Sequence, residues 1–287
     1  MQKRSLTLFD LSPGKVLLDR WKIVRTNRTG GMAATFAAED LDGTLRELQI
    51  YSTVLFERRG DADEFAAAMS RWLPVKHAHV LRAVAVDRHE DGSVLYATDM
   101  PLGRALRELK VEGEAWEPAR VVALGLELCA GLAEIHANGL VHGDVKPHTV
   151  HVSDEGRAVL VDCGITPALW SAKHLGEKTA LIGTPFYAPL EQFGGESPDV
   201  QSDVYNLATL LYELACGVLP WRGKSFLEVF QSKLEKRPPP MNQRAPAADV
   251  PRGLEIAIAR GLMADKRERW QTANQLREAL AAANLAD

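Results

Sequence analysis

The sequence predicts a two-lobed α+β protein, in which a small β-rich lobe with one main helix precedes a larger, mainly helical lobe. From Lys22 to about Met100 the chain consists mostly of short apolar segments with the length of strands. After Gly103 the apolar residues repeat at the three-to-four-residue spacing of helices. No internal repeat or low-complexity linker interrupts the 287 residues, and 46% of them are hydrophobic. A chain of this length and composition can bury a substantial core.

The elements of the small lobe are separated by glycines and turn residues. WKIVRT and MAATFAAED are predicted strands on either side of a Gly-Gly pair, and LRELQIYS is a third. Residues 64–73 have the apolar spacing of a helix. HVLRAVAVDRHEDGSVLYATDM predicts two strands joined by a hairpin turn at Glu-Asp-Gly. We place this lobe at residues 15–100, after an N-terminal extension at residues 1–14.

The large lobe, residues 101–287, opens with a predicted buried helix at 117–139 that ends at an Asn-Gly pair. Short strands are predicted around LVHGD, TVHV and AVLVD. Further helical patterns lie at 201–216, 225–235, 252–263 and 271–284. For the proline-rich segment 236–251 we favour a rigid surface loop within this lobe over a polyproline ligand for another domain.

Composition and charge exclude several classes of protein. With 34 basic and 38 acidic residues, the formal net charge is −4, which argues against a nucleic-acid-binding protein. The longest apolar stretch, residues 121–135, contains two glutamates and is shorter than a membrane span. The opening residues lack the apolar run of a signal peptide, so we predict a cytoplasmic protein. The cysteines lack zinc-ligand spacing and are predicted to be buried reduced thiols: Cys129, Cys163 and Cys216.

Six segments between about residue 15 and residue 284 form an ordered series of motifs. They are VLLDRWKIVRTNRTGGMAATFAAED (16–40), HGDVKPHTV (142–150), VDCG (161–164), GTPFYAPLEQF (183–193), SDVYNLATLLYELACGVLPW (202–221) and ADKRERWQTANQL (264–276). Together they resemble the signature regions of the bacterial Hanks-type Ser/Thr protein kinase family. The resemblance implies a protein-kinase-like fold and, in an active member, phosphoryl transfer from ATP with Mg²⁺.

Several residues match the family's catalytic pattern. The resemblance places Asp144 at the position of the catalytic base and Lys146 at the neighbouring phosphate-contact position. It places Asp162 at the metal-binding position of the motif that is usually Asp-Phe-Gly, where Cys163 replaces the phenylalanine. These three charged side chains are the candidates for catalysis if the chain is active.

The family's structural residues are retained as well. The resemblance implies that Asp203 hydrogen-bonds the backbone around His142, and that Glu191 and Arg269 form a buried ion pair. The activation segment of the family covers four further residues, for which we favour a mobile, solvated loop over a partner-docking segment: Trp170, Ser171, Lys173 and Thr179.

The glycine-rich loop of the family is degraded in this chain. Of its three glycine positions, only Gly30 keeps a glycine, beside Gly31, while Arg28 and Ala33 occupy the other two. Such a loop needs glycines because its backbone must approach phosphate without intervening side chains. For Arg28 we favour a solvated surface position over a role as a substitute cation.

The third strand lacks the lysine that holds two phosphates in the family. Gln49 stands at that position, and residues 23–75 contain no lysine. A neutral amide cannot replace a point charge that faces several phosphate charges. Glu47 stands at the alanine position that packs on the adenine, and the helical glutamate that partners the lysine is replaced by Ala68.

The catalytic loop has lost two further parts. Gly143 replaces the arginine that reads phosphorylation of the activation segment, and Thr149 replaces the metal-binding asparagine. A hydroxyl is a poorer magnesium ligand than an amide carbonyl. The pattern therefore keeps the scaffold and loses the phosphate machinery.

These substitutions predict a pseudokinase, which acts as a protein-binding or allosteric regulatory module with absent or weak ATP binding. No cofactor is expected, and the expected partner is another signalling protein: a kinase, a phosphatase, or a secretion or transcription regulator. No membrane partner is expected. The vacated cleft is expected to be filled by internal pairs of Glu47, Arg28 or Arg46. The alternative is an atypical, low-activity Ser/Thr kinase or other nucleotidyl or phosphoryl transferase that uses Asp144, Lys146 and Asp162 with ATP and Mg²⁺.

Overall fold

A computed structural model describes residues 6, 11–28, 32–58, 60–173, 185–235 and 237–285. The chain divides into two compact units. The first lies within Met1–Lys76, Leu81–Pro101 and Ser171–His174, and the second within His77–Val80, Leu102–Trp170 and Leu175–Asp287. The first unit is built mainly from strands and the second mainly from helices, so the predicted α+β class is confirmed.

The first unit is a six-stranded antiparallel sheet with one α-helix. Its elements are β1 (Val16–Leu17), β2 (Trp21–Arg28), β3 (Ala34–Glu39), β4 (Leu45–Tyr51), α1 (Asp61–Ser70), β5 (Ala83–Arg88) and β6 (Val94–Asp99). The strand order is β1-β2-β3-β4-β6-β5. The predicted strands are confirmed, but the helix begins three residues earlier than 64–73. Its acidic first turn stabilises the positive end of the helix dipole, a signal that the apolar spacing alone does not carry.

The two faces of this sheet carry different side chains. One face holds an apolar core that includes Trp21, Ile23 and Leu48, and Leu11 from the N-terminal extension packs into it. Because side chains alternate along a strand, Glu47, Gln49 and Tyr51 of β4 point to the opposite face. Helix α1 lies on that face, since the rings of Tyr51 and Phe65 are 4.6 Å apart between centroids.

The second unit is built around a long buried helix. Its elements are β7 (Arg104–Ala105), α2 (Leu106–Leu109), α3 (Pro118–Ala137), β8 (Val150–Val152), β9 (Ala158–Leu160), α4 (Ile165–Ala172, whose last two residues fall in the first unit), α5 (Leu190–Phe193), α6 (Val200–Cys216), α7 (Phe226–Lys233), α8 (Met241–Arg244), α9 (Arg252–Gly261) and α10 (Ala273–Ala281). Helix α6 is buried along almost its whole length and packs against α3 and α9. The helices predicted from apolar spacing are confirmed, with ends that differ by a few residues.

Two sequence predictions for this unit have definite outcomes. The predicted strand at LVHGD is wrong, because these residues form a loop, while TVHV and AVLVD contribute β8 and β9. The proline-rich segment is held to its own unit, as favoured, although it contains the short helix α8 and is not a loop throughout: the Tyr212 hydroxyl donates to the Pro239 carbonyl at 2.9 Å, and Met241 is buried.

All three cysteines are buried and free of disulfides, as predicted. None of the helices in the described ranges combines the length and the apolar character needed to cross a bilayer.

Candidate functional site

The site residues of the small sheet lie on the face that α1 covers. In β4, Glu47 is fully buried and Gln49 is 2% exposed. Glu47 is paired with Ala37 of β3, and Gln49 with Thr35, and both side chains lie on the same face of the sheet because they are two residues apart. At the position where the kinase pattern has a lysine, this chain therefore has the buried amide of Gln49, two residues from the buried carboxylate of Glu47. Gly30 and Gly31 lie outside the described residues.

The carboxylate of Glu47 receives hydrogen bonds from three side chains. Arg28 Nη2 donates to Oε1 at 2.6 Å, Asn27 Nδ2 donates to Oε2 at 2.5 Å, and Gln49 Nε2 donates to Oε1 at 3.3 Å. The expectation that Arg28 is a solvated surface residue is wrong, because its side chain is only 31% exposed and forms an ion pair. The physical reason is the buried carboxylate itself, which needs a charged partner.

An irregularity in β2 makes this arrangement possible. Neighbouring residues of a regular strand point to opposite faces, so Asn27 and Arg28 would not both reach Glu47. The pairing register of β2 with β3 shifts between Thr26 and Arg28, as in a β-bulge. Both side chains can then turn toward the same carboxylate, which closes the network across β2 and β4.

The remaining residues around this network are also accounted for. The hydroxyl of Tyr51 donates to Gln49 Oε1 at 2.7 Å, which orients the amide so that its nitrogen faces Glu47. Both arginines that were expected to form internal pairs do so: Arg28 pairs with Glu47, and Arg46 pairs with Asp99. Ala68, at the helical glutamate position, is half-buried on α1.

In the second unit, Asp203 of α6 organises the loop that contains Asp144. Its carboxylate accepts hydrogen bonds from the backbone N–H groups of His142 at 2.8 Å and Gly143 at 2.7 Å, which confirms the prediction. His136 Nε2 lies 2.9 Å from the same carboxylate. Burial lowers the pKa of the His142 ring, although the carboxylates of Asp203, Asp144 and Asp162 act in the opposite direction.

The catalytic-loop candidates Asp144 and Lys146 contact each other directly. Lys146 Nζ lies 2.5 Å from Asp144 Oδ2. The hydroxyl of Thr149 donates to the Asp144 carbonyl at 2.6 Å and accepts from the Lys146 N–H at 3.1 Å. Thr149 is buried, so it braces the loop from within rather than presenting a ligand at its surface. Its role as a degenerate nucleotide-site residue stays a sequence-based prediction.

Asp162, the candidate metal ligand, has an unusual backbone conformation. Its φ of 57° lies in the left-handed region, which costs free energy in a residue with a side chain and is common at functional sites. Across the parts of the chain that the structure describes, no group of three or more His, Cys, Asp or Glu residues is arranged to hold a metal ion.

The segment after Asp162 differs from the expected solvated loop. It forms helix α4, on which Trp170 is buried, whereas Ser171 is exposed. Thr179 lies outside the described residues. Pro167 packs so tightly on Gly143 that a Cβ there would lie 2.5 Å from its Cδ. The apolar run ITPALW, with its proline in the first helical turn, is a helix-start signal that the motif-based interpretation overlooked.

Two buried cations tie the later segments of the second unit together. Arg269 is fully buried and forms a two-pronged ion pair with Glu191, at 2.8 Å and 3.3 Å, as predicted. Lys233 of α7 was missed. Its ammonium donates to the carbonyls of Phe186 at 2.9 Å and Ala188 at 2.8 Å, and burial lowers its pKa. No local pattern in the sequence marks this contact, because its acceptors, two backbone carbonyls and the Tyr205 hydroxyl, lie 28 to 47 residues away along the chain.

These features are those of a protein kinase fold. One unit is a small antiparallel sheet with a helix, and the other is a helical unit in which Asp203 holds the loop that carries Asp144 and Lys146. The chain belongs to the protein kinase domain family, whose model matches residues 60–279. Serine/threonine-protein kinase pkn2 of Myxococcus xanthus is 30% identical over 283 residues. That alignment covers 96% of this chain and 34% of pkn2, so the chain spans about a third of that relative.

Solved kinase structures have the same fold. The PknI kinase domain of Mycobacterium tuberculosis, in a cysteine-to-alanine mutant form, aligns with a TM-score of 0.71 and 18% identity, over 94% of this chain and 97% of that one. The apo form of PpkA-294 aligns with a TM-score of 0.72 and 21% identity, over 94% and 98%. At these identities the two structures establish the fold, and the chemistry has to be argued from the residues described above.

Proposed function

We propose that this chain is a cytoplasmic pseudokinase, a kinase fold that transfers no phosphate and serves as a protein-binding or allosteric regulatory module. The observation that carries this proposal is the ion pair of the fully buried Glu47 with Arg28, beside Gln49 at the lysine position. Arg28 is already engaged by the internal carboxylate of Glu47. A triphosphate would meet a neutral amide and a negative charge where an active kinase offers a lysine.

The catalytic loop supports the same conclusion. Thr149, at the position of the metal-binding asparagine, directs its hydroxyl to the backbone of the loop. A kinase accelerates its reaction mainly by placing cations and Mg²⁺ around the transferred phosphate, so a chain without these ligands keeps little catalytic power. We therefore propose that the chain works without a cofactor.

The retained scaffold suits a binding role. The Asp203 contacts and the Glu191–Arg269 pair hold the second unit in the family's arrangement although the phosphate machinery is gone. A stable surface of this kind would serve another signalling protein, such as a kinase, a phosphatase, or a secretion or transcription regulator. The net charge of −4 fits neither a nucleic-acid nor an anionic-membrane partner.

Phosphoryl transfer is expected to be absent. Incubation with γ-labelled ATP and Mg²⁺, with generic protein substrates, should give label no greater than that of the Asp144→Asn variant. The same should hold for α-labelled ATP, which reports nucleotidyl transfer. Asp154→Asn, an exposed aspartate in the β8–β9 turn, is the matched control.

The atypical enzyme that uses Asp144, Lys146 and Asp162 is the second candidate, because these three side chains are retained. Incorporation of label that persists in Asp154→Asn and disappears in Asp144→Asn would establish this enzyme and reject the pseudokinase. Melting temperatures of both variants show whether a loss of label reflects unfolding instead.

A further inference from the structure

The side chains around Glu47 have the composition of an anion receptor. A guanidinium from Arg28 and two amide groups, from Asn27 and Gln49, donate to one carboxylate at 2.5–3.3 Å. The donors come from β2 and β4, so they surround the carboxylate from two strands of the sheet. Paired charged and amide donors of this kind are the groups that proteins use to bind carboxylates and phosphates.

The carboxylate itself is costly to place there. Glu47 is fully buried, and a buried charge is tolerated only when it is paired and hydrogen-bonded. Its cross-strand neighbours on this face are Ala37 and Thr98, so a small residue at position 47 would continue an ordinary packed face. The charge is therefore best explained by its pairing with Arg28 and the two amides.

We propose that Glu47 is an internal ligand: the small unit contains a carboxylate-binding site, and the chain fills that site with its own side chain. The site links β2 to β4 across β3, the strand that lies between them. This face of the sheet is therefore ordered without any external anion. This inference deepens the proposed function and rests on it in one respect, since a filled site takes the place of a bound nucleotide. Removing the side chain at position 47 should leave an empty receptor that accepts a small free carboxylate.

The test is chemical rescue of the Glu47→Ala variant by sodium acetate, with the melting temperature as the measurement. The substitution is expected to lower the melting temperature by about 5 °C, because it takes the Glu47 carboxylate away from a largely buried guanidinium. Acetate should restore at least half of that loss in a saturable manner. Acetamide, which has the same shape without the charge, and sodium chloride at equal ionic strength should not. In the double variant Arg28→Met/Glu47→Ala, acetate should have no effect.

Two patterns of rescue would contradict the proposal. Equal rescue by acetate and acetamide would mean that the site is a cavity to be filled, and rescue that persists without Arg28 would place the anion elsewhere. If Glu47→Ala does not fold alone, refolding in acetate but not in acetamide supports the proposal, and failure in both contradicts it. All of these melting temperatures are measured without nucleotide, so the two proposals can fail separately. Rescue can fail while the transfer assay still shows no activity, and rescue can succeed while that assay shows transfer.

Discussion

Replacing Arg269 with leucine is expected to lower the free energy of unfolding by about 3–5 kcal/mol, because the buried carboxylate of Glu191 loses its hydrogen-bonded partner and keeps only Lys266, at 4.0 Å. Arg269 is fully buried, and besides its two contacts with Glu191 it donates to the carbonyls of Met263 and Gln201. None of these acceptors would find a donor in a leucine side chain. Urea denaturation of the two proteins measures the difference.

The neighbouring Arg267 provides the matched control. Its side chain is 90% exposed and pairs with Asp265 in solvent, where ion pairs add little to stability. Arg267→Leu should therefore leave the unfolding midpoint unchanged. A loss that is equal in the two variants would show that the Glu191–Arg269 pair does not hold the second unit together in the way its geometry indicates.

Gly143→Ala is expected to be the other strongly destabilising change. Gly143 has a φ of +83°, which costs a residue with a side chain roughly 1–2 kcal/mol. In addition, the new Cβ would lie 2.5 Å from Pro167 Cδ, and such overpacking costs about 1–3 kcal/mol. The arginine that the family pattern has at this position should cost more still, because its longer side chain must displace α4.

Gly156→Ala separates the two contributions to this cost. Gly156 has nearly the same φ, +84°, but nothing lies within 4 Å of its ideal Cβ position. The difference between the two variants in urea denaturation is therefore the contact with Pro167. Limited proteolysis within residues 165–172 should accelerate only in the Gly143 variant. Equal losses in both variants, with α4 equally protected, would mean that Pro167 adapts and that α4 does not depend on a glycine at 143.

Patterns along the chain predicted those features that depend on local periodicity or on family motifs. The strand predicted at LRELQIYS contains both Glu47 and Gln49, and the family motifs anticipated the Glu191–Arg269 pair and the Asp203 contacts. Adjacent residues of a strand point to opposite faces, so Arg46 pairs with Asp99 and not with Glu47.

Other features depended on contacts that no local pattern reveals. The pairing of Arg28 with Glu47 requires the irregularity in β2, which breaks the period of two on which strand predictions rest. Lys233 is buried because carbonyls of a distant segment surround its ammonium. Helix α4 differs from the prediction for another reason. The family's activation segment implied a solvated loop there, whereas the apolar sequence of residues 165–172 favours a helix.

The most direct test of the pseudokinase proposal is the melting temperature of the full chain with ATP and Mg²⁺ or Mn²⁺. A ligand that binds only the folded state, at 100 times its dissociation constant, stabilises it by about 2.7 kcal/mol, or roughly 5–10 °C in a chain of this size. We predict no shift, because Arg28 is paired with Glu47 and Gln49 replaces the lysine. A shift of several degrees that disappears in Asp162→Ala would contradict this prediction and show a working nucleotide site.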